Sequence, residues 1–413
     1  MTDSCEVLVI GAGLAGLQCA RELEDAGREV LLWEASDAVG GRIRTDRIDG
    51  FLVDRGFQVL NPAYPAVRRW VDVAALGLQA FGAGIRVRRE DSLTVLAHPL
   101  REAALTLQTL RSGLLGPRSL AGLLRWAVPA IAGHRRPHGA DVALREALDR
   151  AGCSGEIRTV VDRFFAGVLL EDEGSSSNDF AQQLLRVFAT GVPGLPREGM
   201  QALPQQLADG LAGPVRTSTR VESIAPDGEA TLVTAAGSAI RARHVVLAAD
   251  PVGAARLAGG DAPAMKGVLT HWFASDSSPS DAHMIYLDGR TRPGGPLINA
   301  AVISNAAPSY APAGRHLVQT SALLGPGRPV PTDEDVVRHA GEIFGTSTAG
   351  WELVARQEVR RALPVQPPPL RARLPQTGTS GLIVCGDYRE TASIQGALVS
   401  GHRAAGAILG RTR

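Results

Sequence analysis

The sequence predicts an α/β chain in which a Rossmann-type dinucleotide-binding domain is joined to a second, mixed α+β domain. Three observations predict it. Val7–Ile10 and Val30–Trp33 are short, wholly apolar runs on either side of a helical pattern, Leu14–Ala26; runs this apolar suit parallel strands covered on both faces. The turn between the first strand and the helix carries glycines in G-x-G-x-x-G spacing. Strand-like segments return in the second half of the chain, after a long helix-rich stretch. With 413 residues, 45% of them hydrophobic, there is core enough for two or three domain-sized units.

Each glycine of the turn has a task. Gly11 permits the tight strand-to-helix turn, Gly13 lets the backbone approach a pyrophosphate, and Gly16 allows close packing of helix on strand. The intervening Ala12, Leu14 and Ala15 place backbone at the helix N-terminus, where unpaired amides and the helix dipole favour an anion. Glu34 ends the second strand, followed by Ala35, and is placed to accept hydrogen bonds from an adenosine ribose. The doublet Gly40-Gly41 then precedes Arg42 and Arg44, a second close backbone approach with a guanidinium able to clamp phosphate.

The run from Val7 to Thr45 resembles the FAD-binding signature of the flavin amine oxidase, protoporphyrinogen oxidase and phytoene desaturase superfamily. The resemblance implies FAD as cofactor, Glu34 on its adenosine ribose and Arg42 on its pyrophosphate. It implies that the loop Asp54-Arg55-Gly56-Phe57-Gln58, continuing to Val59, passes near the flavin. Two later segments match the same superfamily. In TRVESI the backbone of Val221 corresponds to the position that meets the adenine edge. In GLIVCGDYRETASIQGALVSGHRAAGAIL, Gly386 and Asp387 would meet ribityl or phosphate oxygens, with Ser393, Ile394 and Gln395 beside the pyrimidine end of the flavin. The plainer reading of Asp387 and Thr391 is that they cap the last helix.

Between these motifs the pattern is coarser. Asp91–His138 is richer in helix formers, with Leu100, Ala104, Leu107 and Leu110 at helical spacing, and Val142–Cys153, Gly155–Leu169 and Phe180–Phe188 read as further helices. Val215–Ala249 reads as strands with a turn at Pro226-Asp227-Gly228. Gly267–Phe273, His283–Leu287, Leu297–Ile303 and His316–Leu324 read as strands of a second sheet, Gly381–Cys385 as a last strand and Thr391–Leu409 as a last helix. The Gly/Pro-rich stretches Gly191–Gly199 and Pro364–Pro375 look like crossings. The expected FAD-binding domain is therefore 1–85, 205–255 and 375–413, and the substrate domain 86–204 and 256–374.

Several classes are disfavoured. A formal net charge of +1 leaves no electrostatic footprint for nucleic acid. Cys5, Cys19, Cys153 and Cys385 form no C-x-x-C pair, so a disulfide-exchange flavoenzyme is not expected, and at least Cys5, Cys19 and Cys385 read as small core residues. Pro137 breaks the i, i+4 pair His134 and His138, so no metal site is expected. Gly82-Ala83-Gly84 reads as a turn before a strand, which leaves no second nucleotide fingerprint for NAD(P)H. The N-terminus lacks a charged leader and no run is apolar enough to span a bilayer, so a cytoplasmic location is the expectation.

The function expected is FAD-dependent dehydrogenation or desaturation of an apolar, isoprenoid-like small molecule. The alternatives are an amine oxidase and an idle flavin-binding protein. Lys266, the one lysine of the chain, is the sole catalytic candidate: a buried lysine at the start of a strand ending in aromatics would suit base chemistry, but a surface lysine is the favoured reading. Tyr388, Arg389 and Glu390 stand where amine oxidases of the superfamily often build an aromatic cage. Leu100–Ala132 joins apolar helical spacing to Arg101, Arg111, Arg118, Arg125 and Trp126, which suits either a helical lid or a peripheral membrane contact.

Overall fold

The computed structural model describes residues 3–133, 140–377 and 382–411. His134, His138 and Gly381 lie outside the described residues. Asp3–Ile10 is the first strand, Leu14–Asp25 the first helix and Val30–Trp33 the second strand. Their runs of Val, Leu and Ile are explained by position: Asp3–Ile10 lies between Val30–Trp33 and Ser238–Leu247, parallel to both. Ser238–Leu247 pairs antiparallel with Ala230–Ala235, which pairs antiparallel with Val221–Asp227. The turn between these two strands falls two residues later than expected, at Gly228-Glu229, because Asp227 still pairs with Ala230. The last strand, Ile383–Val384, pairs parallel with the end of Ser238–Leu247.

The closing helix Ile394–Ile408 lies against Leu14–Asp25. A Cβ on Gly401 would come within 2.2 Å of the Ala15 carbonyl oxygen, so the two helices cross at a distance only glycine allows. Cys5, Cys19, Cys153 and Cys385 are all free and buried.

The second sheet has seven strands in the order Glu352–Pro364, Met265–Ser275, His316–Leu324, Leu297–Val302, Ile285–Asp288, Gly84–Arg88 and Leu93–Ala97. Gly84–Arg88 straddles the expected boundary at residue 85 and runs parallel to Ile285–Asp288. Leu93–Ala97 corrects the helix-rich reading of 91–138: it is a strand, with Val95 its one buried residue, and it completes a hairpin with Gly84–Arg88. True helices begin later, at Thr106–Arg111 and Pro117–Ile131.

The two faces of this sheet are covered differently. Leu269, Phe273, Val318, Ala322 and Ala300 pack against Val336, Ala340 and Ile343 of the helix Asp333–Phe344. On the other face, Leu287 meets Ile157 and Val160, and Ile298 and Leu323 meet Ala166, all three partners lying on the helix Gly155–Leu169. A further helical layer surrounds Trp126, which is buried against Phe165 and Phe180 and donates from Nε1 to Asn178 Oδ1 at 2.7 Å. Trp126 is therefore a core residue and cannot act as an interfacial anchor.

The helix Asp333–Phe344 is held by a buried polar cluster. His339 Nδ1 accepts from the Leu297 amide at 3.0 Å, so the ring proton is on Nε2, which donates to Asp288 at 2.7 Å. Asp288 also accepts from the Arg290 guanidinium at 2.9 and 2.8 Å and from the Arg290 and Gly294 amides. Burial works against its charge, but these donors outweigh it and hold the carboxyl well below the usual carboxylate range. Its stabilising effect is thus present above about pH 4 and lost as pH falls through the lowered pKa. Asp288→Ala is expected to cost about 3–5 kcal/mol in urea unfolding, and the variant should lose less stability than the parent chain on acidification. An unchanged midpoint would remove the cluster from the stability of the fold.

Candidate functional site

The first βα turn has the geometry its glycines call for. Gly11 sits at φ +106°, and a Cβ there would lie 2.8 Å from the Ala248 carbonyl oxygen. A Cβ on Gly16 would lie 1.9 Å from the Gly11 carbonyl oxygen. A Cβ on Gly13 would meet no atom within 4 Å, so this glycine borders open space. The first helical bond runs from the Leu17 amide to the Gly13 carbonyl at 3.0 Å; the preceding amides of the turn, Leu14 and Ala15 among them, have no acceptor within the helix. Gly41, at φ +60°, backs onto this opening, its added Cβ 3.4 Å from the Gly13 Cα.

Glu34 is buried at the rim. Its Oε2 accepts from the Ala12 amide at 2.7 Å, and Oε1 accepts from the amide and hydroxyl of Ser36 at 2.8 and 2.6 Å. Ala35 is exposed beside it. The Glu34 amide and carbonyl bond to Arg216 and Thr219, which brings the strand beginning at Val221 alongside. Val221 is buried, and its carbonyl accepts from Arg256.

Arg42 donates to Asp387 Oδ1 at 2.5 Å and to the Ala362 carbonyl at 2.8 Å. Burial opposes its charge and Asp387 more than offsets it, so its pKa is raised. Asp387 is buried beside Gly386 in the closing motif and does not cap the last helix. That cap is Ser393, whose Oγ accepts from the Gly396 amide at 3.1 Å, while the Thr391 carbonyl accepts from the Ser393 amide at 2.7 Å and the two hydroxyls meet at 3.1 Å. Ile394 is half-buried at the first position of the helix. Gln395 turns toward the first unit, its Oε1 accepting from the Ala66 amide at 2.8 Å.

The Asp54–Val59 loop is braced on both sides. Asp54 is fully buried and accepts from Thr45 Oγ1 at 2.5 Å, the Met200 amide at 3.0 Å and Tyr310 Oη at 2.9 Å. Burial nevertheless pushes its carboxyl up to about 6. The Gly56 amide donates to Gln357 Oε1 at 3.0 Å, and a Cβ on Gly56 would touch Val359 and Val268. Gln58 donates to the Arg42 carbonyl at 2.8 Å, Phe57 meets Phe81 edge to face, and Val59 is half-buried. Thr45, Met200, Tyr310, Gln357 and Ala362 were not legible as site residues. They act through a backbone group or a side chain up to 320 residues away in the chain, and no local pattern announces that.

Lys266 is not a surface lysine. It is half-buried on the Met265–Ser275 strand, and Nζ donates to the Leu169 carbonyl at 3.0 Å and to Ser176 Oγ at 2.7 Å. Burial lowers its pKa to about 8, against the pull of Glu171. It pairs with Leu363, the residue after the carbonyl that holds Arg42. Among the described residues no three His, Cys, Asp or Glu side chains are grouped to hold a metal ion.

The family described as flavin-containing amine oxidoreductase matches residues 14–409. The chain belongs to that family. Membership carries the class with it, a flavin-dependent oxidoreductase whose cofactor is FAD. Curated relatives match locally: AofH of Mycobacterium tuberculosis is 48% identical over 62 residues, 15% of this chain and 14% of that protein. Putrescine oxidase of Kocuria rosea is 42% identical over 76 residues, 18% of this chain and 16% of that protein. The matched stretches thus span about one-seventh of these relatives. Solved structures match along the whole fold: an oxidoreductase from Methanosarcina mazei with TM-score 0.75 at 17% identity, covering 96% of this chain and 99% of the other. Putrescine oxidase bound to putrescine matches with TM-score 0.68 at 18% identity, covering 100% of both chains.

The residues present fit FAD. Gly13 and Gly41 border an opening beside free helix-terminal amides, suited to a pyrophosphate, and the Glu34 carboxylate lies within that turn with further acceptor capacity. Arg42→Ala should weaken FAD retention by about 1.5–3 kcal/mol, read as free FAD after ultrafiltration of the purified yellow protein. Retention equal to that of the unaltered chain would take Arg42 out of the site.

Proposed function

We propose that this protein uses FAD to dehydrogenate a largely apolar, isoprenoid-like small molecule. Bound FAD supplies the hydride acceptor; the protein supplies binding, orientation and the exclusion of water. The observation that carries the reading is the sheet face opposite the flavin loop. Val268 and Val359 lie on Gly56, and along the same face the strands Met265–Ser275 and His316–Leu324 present Thr270, Trp272, Gln319 and Ser321. From Val268 to Ala274 the strand Met265–Ser275 presents no ionised side chain on this face. The division into a nucleotide unit of 1–85, 205–255 and 375–413 and a substrate unit of 86–204 and 256–374 is supported by the two sheets. The nucleotide contacts proposed are those of the first turn with Glu34 and Ala35, Gly41 with Arg42, the Gly56–Val59 loop, Val221, Gly386 with Asp387, and Ser393–Gln395.

Anaerobic titration of the oxidised holoprotein with isoprenoid alcohols and hydrocarbons, and separately with primary amines, tests this reading. Bleaching of the flavin by the neutral compounds supports it. Bleaching by amines alone overturns it in favour of amine oxidation.

The second reading, amine oxidation, is favoured by the lowered pKa of Lys266 and by the likeness to putrescine oxidase. The two bonds of Lys266 to Leu169 and Ser176 use the ammonium as a donor and fit a tie between the strand and the end of the Gly155–Leu169 helix. Lys266→Met is therefore expected to lower the melting temperature yet keep flavin reduction within about tenfold of the parent rate, short of the 10²–10⁴ expected for a general base. A loss of several orders of magnitude with FAD still bound would place amine oxidation first.

We also propose a peripheral membrane contact through residues 100–131. Among the described residues, six of the eight large exposed hydrophobic residues lie there: Leu100, Leu107, Leu110, Leu124, Val128 and Ile131. Arg101, Arg111 and Arg118 are exposed among them. Apolar side chains flanked by guanidinium groups suit an anionic bilayer surface, and no helix among the described residues is long and apolar enough to cross one. The protein should sediment with phosphatidylserine-containing vesicles, less so at high salt, and Leu124→Glu with Val128→Glu should abolish this while FAD stays bound. Protein that remains in the supernatant at low salt would show the contact to be wrong.

A further inference from the structure

The flavin loop is tied to the second sheet by two hydrogen bonds. At its start Asp54 Oδ2 accepts from Tyr310 Oη at 2.9 Å, and two residues later the Gly56 amide donates to Gln357 Oε1 at 3.0 Å. Tyr310 lies in the connection between the strands Leu297–Val302 and His316–Leu324, and Gln357 lies on the edge strand Glu352–Pro364. The loop is also tied to its own unit. The Arg55 amide donates to the Arg44 carbonyl at 2.8 Å, and Gln58 donates to the Arg42 carbonyl at 2.8 Å.

Asp54 is where strand, turn and second sheet meet. It is 1% exposed, and Tyr310 is 0% exposed. Its Oδ1 accepts from Thr45 Oγ1 at 2.5 Å and from the Met200 amide at 3.0 Å. Gly199 makes the turn that brings this amide in: it sits at φ +91°, and a Cβ on it would lie 2.5 Å from Thr45 Oγ1. The Thr45 hydroxyl accepts from the Gln201 amide at 3.0 Å, so its own proton is directed to Asp54. Three donors thus converge on one carboxylate, and all three suit its ionised form. A protonated carboxyl would have an O–H to place. The Met200 amide cannot accept it, and Thr45 and Tyr310 could accept only by turning their own protons away.

The ionised form is nonetheless held against burial, which pushes the carboxyl up to about 6. Charged neighbours do not relieve it. Asp46, on the adjoining strand, raises it further and is itself paired with Arg55 at 2.9 and 2.8 Å. In the turn, Arg197 is exposed and Glu198 pairs with Arg47 at the surface. Residues 302–311 carry no charged side chain, and the Tyr310 phenol is pushed up by burial and by the Asp54 charge, so it stays a donor. The stability that this carboxyl contributes is therefore present below about pH 4 and lost as pH rises through about 6. Near neutral pH the same side chain has two protonation states with different hydrogen-bond demands.

We infer that Asp54 is a positioning residue for the flavin: ionised, it draws Thr45, Met200 and Tyr310 together and fixes residues 55–59, and protonated, it releases Tyr310 and lets those residues shift against the second sheet. The inference rests on the proposed passage of this loop beside the flavin and is independent of which compound is dehydrogenated.

The test follows the visible circular dichroism of the oxidised holoprotein, without substrate, between about pH 5 and pH 8. The flavin signal should change with a one-proton midpoint near pH 6. Asp54→Asn is neutral throughout, so it should show no midpoint in that range and keep the low-pH signal of the parent. Tyr310→Phe removes one donor to the carboxylate and keeps the ring, so its midpoint should move to higher pH. A merely structural role would lower the melting temperature of both variants and leave the pH profile unmoved. Where Asp54→Asn does not hold FAD, the shift in Tyr310→Phe decides. A parent signal that is flat over the range overturns the inference, as does a midpoint that survives in Asp54→Asn or does not rise in Tyr310→Phe. Amide exchange of residues 55–59, corrected for its intrinsic pH dependence, should follow the same midpoint. Exchange that does so beside a flat flavin signal would show that the loop lies away from the flavin, and would overturn the inference on that ground.

Discussion

One guanidinium joins the three parts of the chain that make the site. Arg42 follows the second glycine cluster, Asp387 belongs to the closing motif, and Ala362 lies on an outer strand of the second sheet. The Asp387 carboxylate it meets is buried, and a charge that far from water must be paired, because an unpaired buried ion costs several kcal/mol. Satisfying Arg42 therefore requires the N-terminal turn, the C-terminal helix start and the second sheet to be in place together. Gly56 repeats the constraint close by: its amide donates to Gln357, and a Cβ there would be in ordinary contact with Val268 and Val359. The unit that holds the nucleotide and the sheet that forms the opposite wall are thereby set at a defined distance.

The two walls of the site have opposite chemistry, and each follows from its backbone. The nucleotide side is built from strand ends, tight turns and helix N-termini, which present amides and suit anionic groups. The opposite wall is the middle of a sheet, where backbone groups are spent in the ladder and only side chains are left to speak. Those side chains are neutral, part valine and part orphaned hydroxyl, indole and amide.

Around the walls, polar side chains hold helices to sheets. Lys266 ties the end of the Gly155–Leu169 helix to the Met265–Ser275 strand, and Trp126 joins Pro117–Ile131 to Asn178. His339 and Asp288 do the same on the outer face. With these contacts in the core, the apolar residues Leu100, Leu107, Leu110, Leu124, Val128 and Ile131 are left exposed among the described residues.

The sequence by itself determined whatever a short stretch of backbone can enforce. Gly11 and Gly16 admit no side chain at their positions, the apolar runs of the first sheet need cover on both faces, and Gly13, Glu34, Gly41 and Arg42 stand at spacings that a strand and a helix turn into positions. The cofactor class was legible for that reason. Where periodicity was the only guide, it misled: Leu93–Ala97 lies in a stretch of mixed spacing and becomes a strand because Gly84–Arg88 offers it an edge. Only the tertiary structure decided which polar groups are partnered. Lys266 is drawn half inside by a carbonyl at the end of a helix, and Trp126 is held in the core by a side-chain amide from a neighbouring helix. Thr270, Gln319 and Asn299 read as ordinary strand residues, and what sets them apart is a missing partner. A hydrogen bond is satisfied or left open across space, between residues the chain keeps far apart, so no local pattern can record it.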